Sequence, residues 1–416
     1  MPSAYLKGMD ITMSETITKK KNARIASVEF WRFLFTVLVM LYHLEIYYTS
    51  GKLFPSGTSA VEFFFVLSGF LIALSAGHWF EKHPEPLSAK EAGIKATQFV
   101  WKKVKVILPV IIITLILHYA MNGGGFSRKS TLEAILNSEW DLLFMVGTPF
   151  GYANGGCPIV PLWFLTALFI AGYVYTYMLY RNFHFTLFLA PLIGVMLYSF
   201  FTLNSSLVLD FYAKMGFMTA GTVKAFAEVA LGMAMYHLYD HLSHKKIGPV
   251  WEVVLTILML FAIYRYFALT IKANSSLDNF RRIVYIMIII LLSFLNKDLI
   301  TSVLNHGWAR FLGSISMTMY VCHYTLCNYF FAVVRALWKI NPLSTFLKEL
   351  NGSAGAFGGF GGGTINWKIR VCYVLFVFVI AIIIHLLVKL ITKALTPKPK
   401  ADPPSPQIVP ADNAAD

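Results

Sequence analysis

Ten separate apolar runs, each near the length needed to cross a lipid bilayer, leave this chain few folds to choose from. They cover roughly residues 27–48, 58–77, 104–121, 161–180, 184–203, 217–239, 250–271, 281–296, 311–337 and 369–393. A helix rises about 1.5 Å per residue, so about 20 residues match a hydrocarbon core about 30 Å thick. Of the 416 residues 57% are hydrophobic and only 13% charged, too few charges to cover the surface of a water-soluble protein of this length. The predicted fold class is all-α, a polytopic membrane protein with about ten transmembrane helices. The sixth and eighth runs are the least regular: the sixth carries Lys224 and Glu228, and the eighth is short and opens with Arg281 and Arg282.

Residues 1–24 are polar and end in KKKNAR, which reads as a flexible cytoplasmic tail; the first apolar run reads as a retained helix rather than a cleaved signal. Residues 25–395 form the membrane domain, and 396–416 read as a disordered proline-rich tail. The formal net charge is +14. In a polytopic protein Lys and Arg collect on the cytoplasmic side, so this excess implies the lipid bilayer as partner and no nucleic acid. With the N-terminus inside, cytoplasmic segments hold 20 Lys and Arg against 11 in outer ones, which predicts both termini in the cytoplasm. The longer outer loops are 122–160 and 339–368, the second containing GSAGAFGGFGGG. Cys157, Cys322, Cys327 and Cys372 show no CxxC spacing, so neither a metal site nor a disulfide framework is expected.

Ionisable groups at membrane depth are costly and by default mark function. Arg32 and His43 are eleven residues apart in the first run, about three turns plus 20°, and so share one helix face about 16 Å apart along the axis. A neutral His43 can take a proton from an attacking hydroxyl near neutral pH. The alternative is a buried histidine satisfied by a neighbouring helix. Arg32 offers a fork of donors suited to phosphate or a polarised carbonyl; it could equally snorkel to lipid phosphates or pair with Glu29, three residues earlier. Glu45 faces about 200° away from His43 and is a poor partner for it. Glu62, at the outer start of the second run, is better placed to orient His43, unless it is an interfacial carboxylate that ends the loop. Ser68-Gly69 reads as a close helix-packing point rather than a nucleophile. Lys224 and Glu228, four apart, could neutralise each other. Ser316, Tyr320, His323 and Cys327 recur at three and four on the ninth run, a semi-polar stripe suited either to line a cavity or to serve as a structural hydrogen-bonded seam.

These residues fall within recognisable segments: the R-x10-H pair Arg32 and His43, VEFFFVLSGFLI from Val61, PLWFLTALF from Pro161, and FLGSISMTMYVCH from Phe311 to His323. With these four in order, the chain resembles the acyltransferase family 3 membrane proteins, which transfer acyl groups from acyl-coenzyme A to carbohydrates and other acceptors, mostly in bacterial envelopes. The resemblance implies an O-acetyltransferase of the bacterial cytoplasmic membrane, with acetyl-coenzyme A or another acyl-coenzyme A as donor, a hydroxyl of a cell-surface or exported glycan as acceptor, and no metal. It implies catalytic roles for His43, Arg32 and Glu62, coenzyme A phosphate binding by Arg32, Lys102 and Lys105, and Trp163, Tyr320 and His323 near the substrate. In the loop before the third run the family commonly has an arginine-rich pattern ending in proline, whereas this chain has Lys102, Lys103 and Lys105. No appended SGNH-type hydrolase-like domain is expected, so transfer would finish in the membrane domain or on a partner. A secondary transporter or flippase would also have buried charges, but should show repeat symmetry with broken helices in matching positions, which the sequence lacks. A non-enzymatic membrane sensor is the third class.

Overall fold

The computed structural model describes residues 25–45, 52–122, 159–204, 213–272, 276–341 and 366–395. The proposed tails, most of both long outer loops and Cys157 lie outside them. Each of the ten apolar runs falls on one long helix: α1 Ala26–Glu45, α2 Ala60–Phe80, α3 Ala89–Asn122, α4 Trp163–Arg181, α5 Phe183–Asn204, α6 Ala220–Ser243, α7 Pro249–Thr270, α8 Ser276–Leu295, α9 Gly307–Ile340 and α10 Trp367–Leu395. A six-residue helix, Leu299–Leu304, precedes α9. The one strand pair among the described residues is a hairpin, Lys214–Met215 with Met218–Thr219, which turns through Gly216 at φ +68° and leads into α6.

Among the described residues six helical segments are long and apolar enough to cross a membrane; they fall on α1, α2, α4, α5, α7 and α10. The chain is thus an all-α, multi-pass membrane protein. The remaining long helices α3, α6, α8 and α9 carry more polar or charged positions, and three of them bury some of these: Lys224 and Glu228 on α6, Arg282 on α8 and His323 on α9 are all buried. A helix surrounded by protein can hold such groups, whereas a lipid-facing one cannot. The opposite pattern holds for α7 and α10, whose apolar side chains such as Phe261 and Leu386 point outward.

Two close approaches set the packing around the interior. A Cβ on Gly69 of α2 would lie 2.0 Å from the Val229 carbonyl oxygen, and one on Gly232 of α6 would lie 2.0 Å from that of Val66. Each helix thus supplies the glycine that admits the other's backbone. Between α1 and α9, Gly313 leaves the space that Glu29 fills; a Cβ there would sit 2.2 Å from Glu29 Oε2. The segment before residue 104, expected as a loop, is helical from Ala89. Ser88 and Glu91 form a capping box, with Glu91 Oε2 accepting from the Ser88 amide at 3.0 Å and Ser88 Oγ from the Glu91 amide at 3.3 Å. Lys102, Lys103 and Lys105 therefore have fixed directions around a helix.

Candidate active site

The α1 face predicted to carry Arg32 and His43 lies along α9. At its first end, Arg32 Nη1 donates to both oxygens of Glu29, at 2.8 and 3.0 Å. Arg32 keeps 22% of its side chain exposed, and its other donors have no hydrogen-bond partner among the described residues. Lys103 of α3 is half-buried and close enough for Arg32 to act on its charge. Lys102 and Lys105 are exposed, with Lys105 lying over the Trp101 ring. Of the three lysines, then, the half-buried one within electrostatic reach of Arg32 is Lys103, which sequence reasoning did not single out. With Glu29 the group carries a formal charge of +1, favourable to an anion.

At the other end, His43 meets His323. His323 Nε2 lies 3.1 Å from His43 Nδ1, His323 Nδ1 lies 2.6 Å from the Tyr320 carbonyl oxygen, and His43 Nδ1 lies 2.9 Å from that of Val39. A carbonyl only accepts, so in the neutral pair Nδ1 of His323 carries its proton and Nε2 its lone pair. Nδ1–H of His43 is then shared between Val39 and His323. That leaves the His43 lone pair on Nε2, which has no hydrogen-bond partner among the described residues. The group that meets His43 across the helix interface is a second imidazole rather than a carboxylate.

Aromatic rings fix the pair. Tyr42 and Tyr324 stand edge-on to His43, with centroids at 5.5 and 5.7 Å. The Tyr320 hydroxyl donates to the Pro161 carbonyl at 2.8 Å, tying α9 to the turn before α4, and the Tyr373 hydroxyl of α10 donates to the His323 carbonyl at 2.9 Å. Trp163 packs against Phe65 of α2, and its neighbour Phe164 reaches Tyr320, with ring centroids 5.6 Å apart. Ser316 is buried and spends its hydroxyl on the Gly313 carbonyl.

Glu62 is not beside His43. Its carboxylate hydrogen-bonds Lys224 of α6, both side chains being almost fully buried. Lys224 also lies 3.7 Å from Glu228, so the expected Lys224–Glu228 pair is part of a larger cluster. Glu45 turns away from His43 as its helix phase requires. It accepts from Arg370 of α10 at 2.7 Å and from the Leu53 and Phe54 amides at 3.1 and 2.9 Å. That ties α1, the α1–α2 link and α10 together two residues beyond the histidine. Among the described residues no group of three His, Cys, Asp or Glu side chains is placed to hold a metal ion.

The site is thus a cationic end and an imidazole end on one helix face, eleven residues apart. Comparison with known proteins gives one match: the family model Acyl_transf_3, described as an acyltransferase domain, covers residues 25–391. No curated protein and no solved structure matches the chain.

Proposed function

This chain belongs to the acyltransferase family 3, and from that premise we propose that it moves an acyl group, acetyl in the first instance, from cytoplasmic acyl-coenzyme A to a hydroxyl of a cell-surface or exported glycan. The observation that carries the reading is the open Nε2 of His43, backed by His323. All ten long helices span the membrane with both termini in the cytoplasm, in line with the Lys and Arg bias. In that orientation Arg32 and Lys103 face the cytoplasmic side and His43 the outer side.

Arg32 and Lys103 suit the phosphates of the donor, Arg32 through its fork and Lys103 as a point charge. The long flexible arm of coenzyme A spans the interval to His43. There His43 Nε2 accepts the proton of the acceptor hydroxyl as its oxygen attacks the thioester carbonyl carbon. His323 Nε2 and the Val39 carbonyl hold the proton on Nδ1 and stabilise the imidazolium that forms. As the C–S bond breaks, the thiolate leaves with its electron pair and takes the proton from Nε2, restoring the neutral pair.

The test uses inverted membrane vesicles from producing cells, which carry their own glycans, supplied with radiolabelled acetyl-coenzyme A. Label entering the polysaccharide fraction with the unaltered protein, and not with His43→Ala, is the expected result. Equal incorporation by both would overturn the reading.

A further inference from the structure

Acyl transfer needs a second group beside the base. As the hydroxyl adds to the carbonyl, the C–O bond forms and the carbonyl π pair moves onto oxygen, and that oxyanion needs a donor in a site shielded from water. Arg32 cannot supply it at the His43 end. It is about 16 Å away along the helix and bonded twice to Glu29. Tyr320 and Tyr373 donate their hydroxyl protons to the Pro161 and His323 carbonyls. Two hydroxyls near His43 remain uncommitted: Tyr42 and Tyr324 are half-buried, touch the His43 ring edge-on, and have no hydroxyl partner among the described residues. Tyr42 precedes His43 in α1, and adjacent helix residues point about 100° apart, so its ring contact follows from the chain alone. Tyr324 reaches His43 from α9, directly after His323, by an approach the tertiary fold makes.

We propose that Tyr324 is a further catalytic residue, whose hydroxyl donates to the acyl oxygen as negative charge develops there; this rests on the acyl-transfer reading above. Tyr324 keeps its proton throughout: it hydrogen-bonds the tetrahedral oxyanion and releases it when the carbonyl re-forms and the C–S bond breaks. The proton of the acceptor travels only through His43.

The test compares Tyr324→Phe with His43→Ala in the vesicle assay and in detergent melting. Tyr324→Phe keeps the ring and removes only the donor, so kcat should fall about 10²–10³-fold with the KM for acetyl-coenzyme A and the melting temperature little changed. Replacing Tyr324 by a fluorinated tyrosine, a more acidic donor of nearly the same shape, should alter kcat in step with ring acidity. A packing role would not respond in that way. If His43→Ala is inactive while Tyr324→Phe works at the normal rate, this inference is overturned and the acyl-transfer reading stands; an active His43→Ala protein overturns that reading itself. Should Tyr324→Phe insert poorly, the fluorinated series decides, and a rate independent of ring acidity counts against the proposal.

Discussion

His323 Nε2 lies 3.1 Å from His43 Nδ1, although 280 residues separate the two in the chain. The contact places the acceptor nitrogen of one imidazole against the donor nitrogen of the other, and it is the local basis for treating His43 Nε2 as the base. His323 is a positioning residue in this scheme. His323→Gln keeps an acceptor close to the position of Nε2, whereas His323→Ala removes it. The alanine variant should lose up to about 10²-fold in kcat, less than loss of the base itself, and glutamine should recover part of it. Equal activity in the two variants would show that the acceptor atom is not what matters.

The cationic end predicts a ranking among neighbouring lysines. Lys103 is half-buried within electrostatic reach of Arg32, while Lys102 and Lys105 are exposed. Lys103→Gln should raise the KM for acetyl-coenzyme A with kcat largely intact, the mark of lost uniform binding. The double variant Lys102→Gln, Lys105→Gln should change it less. Arg32→Lys should recover less than its retained charge suggests, because the fork is gone. A larger KM effect from the exposed pair would move the donor phosphates away from Arg32.

Glu62 and Lys224 form a buried ion pair between α2 and α6. Removing one partner leaves the other uncompensated in a low-dielectric interior, so Glu62→Ala should cost about 3–5 kcal/mol of stability. The double change with Lys224→Ala should cost less than the sum of the single ones. Transfer per folded molecule should stay close to normal in Glu62→Ala. A kcat loss matching that of His43→Ala, in protein that melts normally, would instead return Glu62 to the orienting role expected from its position.

The all-α, multi-pass membrane class was legible because long apolar runs are the strongest signal a sequence carries, although only six of the helices they form are long and apolar enough by themselves to cross a membrane, and eleven-residue spacing put Arg32 and His43 on one face without any tertiary information. Helix phase also separated Glu45 from His43. What phase cannot supply is the partner across a helix interface. Glu62 was drawn toward His43 because both sit near the outer ends of consecutive helices, but α2 turns Glu62 to α6, where Gly69 and Gly232 bring the backbones together. His323 stood out as part of a stripe on α9, yet nothing in the stripe tells which residue of α1 it meets. A loop reading of the segment cannot distinguish Lys103 from Lys102 and Lys105. The S-x-x-E pattern of Ser88 and Glu91 was the available sign that a helix starts there, and with it the three lysines could have been placed around the axis.

The proposed orientation has its own check. In a cysteine-free background, a cysteine at Ser127 or Ser353 should react with an impermeant thiol reagent in intact cells, and one at Ser243, the last residue of α6, should not. The reverse labelling pattern would place Arg32 and Lys103 on the outer side and remove cytoplasmic acyl-coenzyme A as the donor.

The central claim is that His43 performs the proton transfer, and the most direct measurement is label transfer from acetyl-coenzyme A by His43→Ala protein whose membrane insertion and coenzyme binding have been verified. Loss of a general base predicts a kcat lower by about 10²–10⁴-fold with coenzyme binding little changed. Near-normal transfer by that well-folded variant would contradict the account.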